Sequence, residues 1–233
     1  MSNVFGFSTE PSASGDFTPI VKYDARAGRI FRIERVQNAD GFVSEPVDIT
    51  AIFKAVMDFE NIEVGWIDFP QNSAPSFVMV PMGQALPARP SDKHKNGVRI
   101  LLKLAAPCGG EKRVREIASV AKAFLGGIEQ AYVEYQKDKA QYPGQLPVLS
   151  LATTTPVTSG SGAMKSTNYR PTFRIDGWAK RPEDLIHIPV ARPAAAHTNG
   201  SGANGSGTAP NTGGQTVPPP NRMVQQNLDD DFG

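Results

Sequence analysis

Cysteine and histidine are scarce in this chain: Cys108 stands alone, and His94, His187 and His197 are the only imidazoles among 233 residues. One cysteine excludes an intramolecular disulfide and a cysteine-based structural zinc site. The three histidines lie in a basic loop, near the end of the folded part and in the C-terminal tether, with no metal-ligand spacing among them. Long apolar runs are also missing. No segment approaches the roughly 20 apolar residues of a bilayer-spanning helix, and the start, MSNVFGFSTEPSASGDF, has neither the basic beginning nor the continuous apolar core of a signal peptide. The expectation is an intracellular protein of the cytoplasm. Charge of one sign is not in excess either: 24 Lys and Arg face 23 Asp and Glu, a formal net charge of +1. Bulk charge therefore gives no argument for a nucleic-acid partner, and only clustering on one face can supply it.

Catalytic signatures are absent as well. No G-x-S-x-G nucleophile elbow occurs, and Cys108, between Pro107 and Gly109, has no nearby activating residue in the sequence. The stretch Gly160-Ser-Gly-Ala-Met-Lys-Ser-Thr167 invites comparison with a phosphate-binding P-loop. It fails because Met164 stands where glycine must precede the lysine and because a strand, not a helix, follows. Asp24, Asp40, Asp58 and Glu60 are scattered without a nuclease pattern. The reading is of a protein with no catalytic residues, no cofactor and no metal. An enzyme whose carboxylates meet only in three dimensions, such as a nuclease, is one alternative.

What the chain does have is β-prone sequence. Ile20 to Tyr23, a turn over Asp24 to Gly28, and Arg29 to Val36 read as a hairpin whose Arg26, Arg29, Arg32 and Arg35 interleave with Tyr23 and Phe31. Val47 to Phe59 places Ile49, Ile52, Phe53 and Val56 at i, i+3, i+4 and i+7 and predicts a short helix. Ile62 to Phe69, Phe77 to Met82 and Val98 to Leu104 read as strands. Glu111 to Lys139 gives the longest helical signal, interrupted by Gly126-Gly127, where a kink or close packing is expected. Val148 to Thr158 and Tyr169 to Trp178 complete the strands. In the last of these, Arg170, Thr172, Arg174 and Trp178 share one face by period-two alternation, and Pro171 suggests an edge or a bulge. The fold class is α+β, strand-rich, with one short and one long helix.

Composition then divides the chain. Residues 1–16 read as a flexible N-terminal arm and 17–190 as one domain. From 191 to 227 Gly, Asn, Ser, Thr and Pro dominate, too little apolar surface to offset the entropy of ordering, so this is a disordered linker. The last residues, 228–233, differ: Leu228-Asp229-Asp230-Asp231-Phe232-Gly233 sets three carboxylates between a leucine and a phenylalanine, a compact ligand for an apolar pocket rimmed with Arg or Lys.

A globular domain, a Gly/Pro/Asn/Gln-rich tether and a tip of aspartates with a terminal aromatic resemble the layout of bacterial and phage-encoded single-stranded DNA-binding proteins. The likeness covers 191–233 and the general layout. It departs from the bacterial pattern in ending Asp-Asp-Asp-Phe-Gly, which places the free carboxylate on Gly233 and not on the aromatic residue. The resemblance implies a small OB-like β-barrel that coats single-stranded DNA in replication, recombination or repair. It also implies an acidic tip that recruits a polymerase, helicase or nuclease through Leu228, Asp229, Asp230, Asp231 and Phe232. It further implies residence in a bacterial host cytoplasm, if the protein is phage-encoded. The residues suited to phosphate contact and base stacking are Arg29, Phe31, Arg32, Lys103, Lys165, Arg170, Arg174 and Trp178. Self-association is compatible with this reading. The rival from another class is a viral structural, assembly or adaptor protein with the tail as its docking peptide.

Overall fold

The hairpin expected at the start forms from β1 (Ile20–Asp24) and β2 (Arg29–Asn38), with Val21, Tyr23 and Ile30 turned inward. The computed structural model describes residues 18–187, apart from 40, 72, 163 and 164. The N-terminal arm, the linker and the acidic tip lie outside the described residues. Eight further strands follow: β3 (Gly41–Asp48), β4 (Lys54–Met57), β5 (Glu63–Asp68), β6 (Ser76–Pro81), β7 (Lys95–Leu104), β8 (Val114–Ser119), β9 (Gln145–Ser159) and β10 (Ser166–Lys180). A four-residue helix, α1 (Ala106–Gly109), follows β7, and the long helix, α2 (Lys122–Asp138), lies between β8 and β9.

All ten strands belong to one sheet, in the order β10-β9-β4-β7-β8-β1-β2-β3, with β5 branching from β7 and β6 pairing with β5. Every pairing is antiparallel except β1 with β8. The sheet is open, which corrects the expectation of a closed OB-like barrel. No ladder joins β10 to β1. Their approach consists of a hydrogen bond from the Tyr169 N–H to the Ala25 carbonyl (2.6 Å) and one from the Tyr23 hydroxyl to the Tyr169 carbonyl (2.8 Å).

Helix α2 takes the place of a closing strand. Strand hydrogen-bonding groups alternate sides, so the Pro171 carbonyl points the same way as that of Tyr169, away from β9. A Cβ at Gly127 would lie 2.4 Å from that oxygen. Phe124 reaches β1, with its ring 5.4 Å from that of Tyr23, and β10, 6.3 Å from Phe173. The expected close packing at Gly126-Gly127 is thus present, and Pro171 sits on an edge strand where its missing N–H leaves no orphan donor. That edge is covered by α2.

Two helical expectations change. Val47 to Phe59 is not a helix: it contains the end of β3, a 3₁₀ turn (Thr50–Ile52) and β4. Ala55, Val56 and Met57 lie between β7 and β9, buried on both faces, and a short apolar run of this kind carries the same pattern as a buried helix segment; Ile52, meant for the buried stripe, is 51% exposed. The first part of Glu111 to Lys139 is the strand β8. Its inward set is Arg115, Ile117 and Ser119, so an arginine and a serine conceal the alternation that would mark a strand.

The core lies between the curved sheet and α2, where Phe124, Ile128, Ala131 and Tyr135 meet Val21, Tyr23, Phe53, Phe59, Leu149 and Leu146. After β10, residues 181–187 form a strap across the sheet. Arg181 grips the fully buried Asp58 with two bonds (2.7 and 2.9 Å) and reaches Glu60 (2.9 Å). Asp184 meets Lys103 (3.1 Å), Leu185 is buried, and His187 lies 3.8 Å from Glu63. No helix among the described residues is long and apolar enough to cross a membrane.

Candidate nucleic-acid interface

The distal half of the β9–β10 hairpin is an exposed two-stranded arm. Residues 155 to 161 on one side and Lys165, Ser166, Thr167 and Arg170 on the other are open to solvent. Three elements meet at its base. The β1–β2 turn is held there by the Tyr169–Ala25 bond and by Gly28, whose φ of +67° is a glycine conformation. A side chain at Gly28 would collide with Tyr169, whose Cβ is 2.9 Å from the ideal Cβ position. On the other side the start of α2 borders a cleft of about 490 Å³, lined by Ala121, Lys122, Gly126, Glu129, Val157 and Arg170 among others.

Lys122 and Arg170 supply the positive charge of this cleft. The Arg170 guanidinium donates to the Gly126 carbonyl at 3.4 Å, and its side chain is otherwise exposed. Lys122 is exposed in the first turn of α2, where backbone N–H groups and the helix dipole also favour an anion. Lys165 lies near the tip of the arm, and Arg174 continues the Arg170 face of β10, paired with Asp176 at 2.6 Å. Across the arm's base, Arg26 is exposed in the turn and Arg29 is bound to Asp48 at 2.8 Å. The Thr50 hydroxyl and N–H, with Arg29 contributing less, hold the Asp48 carboxyl below its usual range.

The remaining sequence candidates are placed elsewhere. Arg32 is largely buried, with Nε 2.6 Å from Glu34 and Nη1 donating to the Cys108 carbonyl at 3.1 Å. Glu34 is shared with the fully buried Arg115 at 2.8 Å, so both guanidiniums serve the interior. Lys103 is 7% exposed and engaged by Asp184, which removes it from a solvent-facing groove. Phe31 is half-buried in β2, between Lys22 and Asp48 of the flanking strands.

Trp178 does not share the Arg170 face. Asp176 is an extra residue at a bulge between Ile175 and Gly177, and it reverses the alternation. The indole therefore turns to the α2 side, stacked on Tyr142 at 4.6 Å and close to Tyr135 at 5.6 Å. The cleft residue that sequence reasoning passed over is Lys122. With β8 read as helix, it fell in the middle of a long helix and not at the start of one.

Among the described residues, no group of three or more His, Cys, Asp or Glu side chains is arranged to hold a metal ion. Cys108 is buried, its thiol pushed up by burial. Compared with protein-family models, with curated proteins and with solved structures, the chain matches none.

Proposed function

We propose that the protein binds single-stranded DNA without marked sequence preference and brings replication, recombination or repair proteins to it through its C-terminal tip. The observation that carries the first half is the cleft at the base of the β9–β10 arm, where Lys122 and Arg170 flank an apolar wall beside an open ribbon. Lys165 and Arg174 extend the positive track along β10, and Arg26 and Arg29 lie across the arm's base. Cations on a ribbon that a flexible strand can follow suit phosphate contacts independent of sequence. The second half rests on the tether and on Leu228 to Phe232, whose carboxylates and aromatic ring suit a basic, apolar pocket on a partner.

The test is fluorescence anisotropy of a labelled oligo-dT strand with the full chain and with a 1–190 truncation, across a salt series. Four phosphate contacts, from Lys122, Lys165, Arg170 and Arg174, give a log–log salt slope of about −3 for a single strand. The double change Lys122→Ala, Arg170→Ala should bring the slope to about −1.5. Truncation should tighten binding modestly and abolish capture of the partner. Salt-independent binding, or binding indifferent to the double change, rejects this interface.

A second reading has its own observation. The β2–β3 hairpin exposes Val36, Phe42 and Val43, with Arg35 over the Phe42 ring at 4.3 Å. Such a surface suits a structural, assembly or adaptor protein. Self-association seen by sedimentation, together with no affinity for oligo-dT at low salt, favours that reading.

A further inference from the structure

At the far end of α2 from the arm is a second cavity, of about 380 Å³, lined with aromatic rings and polar groups. Tyr132 and Tyr142, both partly exposed, present rings to it with the buried Phe59 and Tyr135 behind them, and Glu60, Gln136, Lys139 and Gln145 supply the polar groups. The rings brace one another. Phe59 meets Tyr132 and Tyr135 edge-on at 5.8 and 5.5 Å, and Tyr142 has one face against Trp178, nearly parallel at 12°. A planar ligand therefore meets walls already fixed in place, which lowers the entropy cost of binding. Gln136 donates from its amide to the Tyr132 hydroxyl. Arg181 holds Glu60 by Oε2 at 2.9 Å, and Oε1 has no other partner among the described residues.

Positive charge stands at the rim. Lys139 Nζ lies 5.7 Å from the Tyr135 ring centre, and the exposed Lys180 is opposite Gln145 in the β9–β10 register. Stacking faces, a half-exposed carboxylate that accepts N–H donors, and ammonium groups outside match the three parts of a nucleotide.

We infer that this cavity holds one nucleobase, stacked against Tyr142, with its phosphate on Lys139 and Lys180. The Glu60 carboxylate favours guanine, whose ring N1–H and 2-amino group stand side by side as donors, over thymine, whose single ring N–H lies between two carbonyl oxygens; cytosine, with one amino donor beside an acceptor nitrogen, falls between them. The assignment rests on the single-strand reading only for the choice of a base over other aromatic ligands.

The test uses the full chain carrying Trp66→Phe, which leaves Trp178 as the sole indole, directly beside Tyr142. Titration with dGMP, dCMP and dTMP should change the Trp178 emission saturably, with dGMP bound about fivefold more tightly than dTMP. Tyr142→Ala should weaken dGMP by about tenfold. Because Tyr142 also supports Trp178, Glu60→Gln serves as the second variant: it keeps every ring and should reduce the preference for dGMP over dTMP while binding persists. No saturable response overturns the assignment, as does a response that Tyr142→Ala and Glu60→Gln both leave unchanged. Displacement of dTMP by a peptide ending Leu-Asp-Asp-Asp-Phe-Gly, with no base preference, also overturns it in favour of a peptide pocket. Oligo-dT anisotropy on the Lys122→Ala, Arg170→Ala protein is read separately, so failure of the arm and failure of this cavity are distinguishable.

Discussion

A methyl group added at Gly127 would sit 2.4 Å from the Pro171 carbonyl oxygen and 2.7 Å from its ring, whereas one added at Gly126 meets nothing closer than the Arg170 guanidinium at 3.5 Å. The two neighbours in α2 should therefore respond oppositely to alanine. Gly127→Ala forces helix and edge strand apart and should cost about 1–3 kcal/mol. Gly126→Ala places a better helix former in ordinary contact and should be neutral or stabilising by up to about 1 kcal/mol. Urea denaturation of both variants checks this, and equal destabilisation would contradict the close approach at Gly127. The glycine pair was legible as a site of close packing, but which glycine touches the strand depends on Pro171, far away in sequence. Trp178 and Lys103 teach a similar lesson. Alternation counted along β10 put the indole beside Arg170, and one unpaired residue, Asp176, turned it to the other side. Lys103 is a basic residue in an alternating strand, which reads as solvent-facing until Asp184 of the distant strap comes to meet it.

Among the elements, the strap at 181–187 is fixed to the sheet by an ion pair. Asp58 is fully buried, and Arg181 supplies two of its bonds. Arg181→Ala leaves that carboxylate without its counter-charge and should cost about 3 kcal/mol, the low end for a broken buried pair because the arginine is partly exposed. Hydrogen exchange should show amides 183–187 losing protection in this variant while β7 keeps its own; unchanged protection of the strap would rule out an anchoring role. Most strands were legible because each shows alternation or a bounded apolar run: β1, β2, β5, β6, β7, β9 and β10 fall within or close to their expected spans. β4 and β8 were not. A central strand buried on both faces has no alternation to show, and a strand whose inward residues include a buried arginine shows the wrong one.

Over the whole molecule, the sheet is held across its open side by Tyr23, Tyr169 and α2. Burial, with Asp24 adding to it, pushes the Tyr23 phenol up to about 12 from an ordinary 10. The folded state therefore keeps a proton that the unfolded chain gives up above pH 10. The contribution of this group is fully present below pH 10 and is lost as the pH rises from 10 towards 12. Tyr23→Phe, which removes both the titration and the hydrogen bond to the Tyr169 carbonyl, should lower stability at pH 7 and flatten the alkaline limb of the stability profile. Thermal unfolding of wild type and variant between pH 8 and 11 measures it, and parallel alkaline limbs would remove Tyr23 from the account. Of the candidate interface, the basic residues of β10 were legible, but the cleft was not. It arises where the start of a helix, a hairpin arm and a turn converge, and no local pattern encodes that meeting.

The edges of the sheet have a consequence for crowding. At β10 the helix covers the edge around Pro171. At β3 the Ile49 N–H points to Ile30, so Pro46 falls at a position facing outward and removes a donor there. At β6 the strand is six residues long and ends in Pro81. At these three edges copies crowded at high local concentration meet only short or interrupted rows of unpaired N–H and C=O groups, whereas residues 151–159 of β9 are paired with β10 alone and leave the arm as the open edge. Joining of copies edge to edge is thereby directed to the arm and away from β3, β6 and the Pro171 edge.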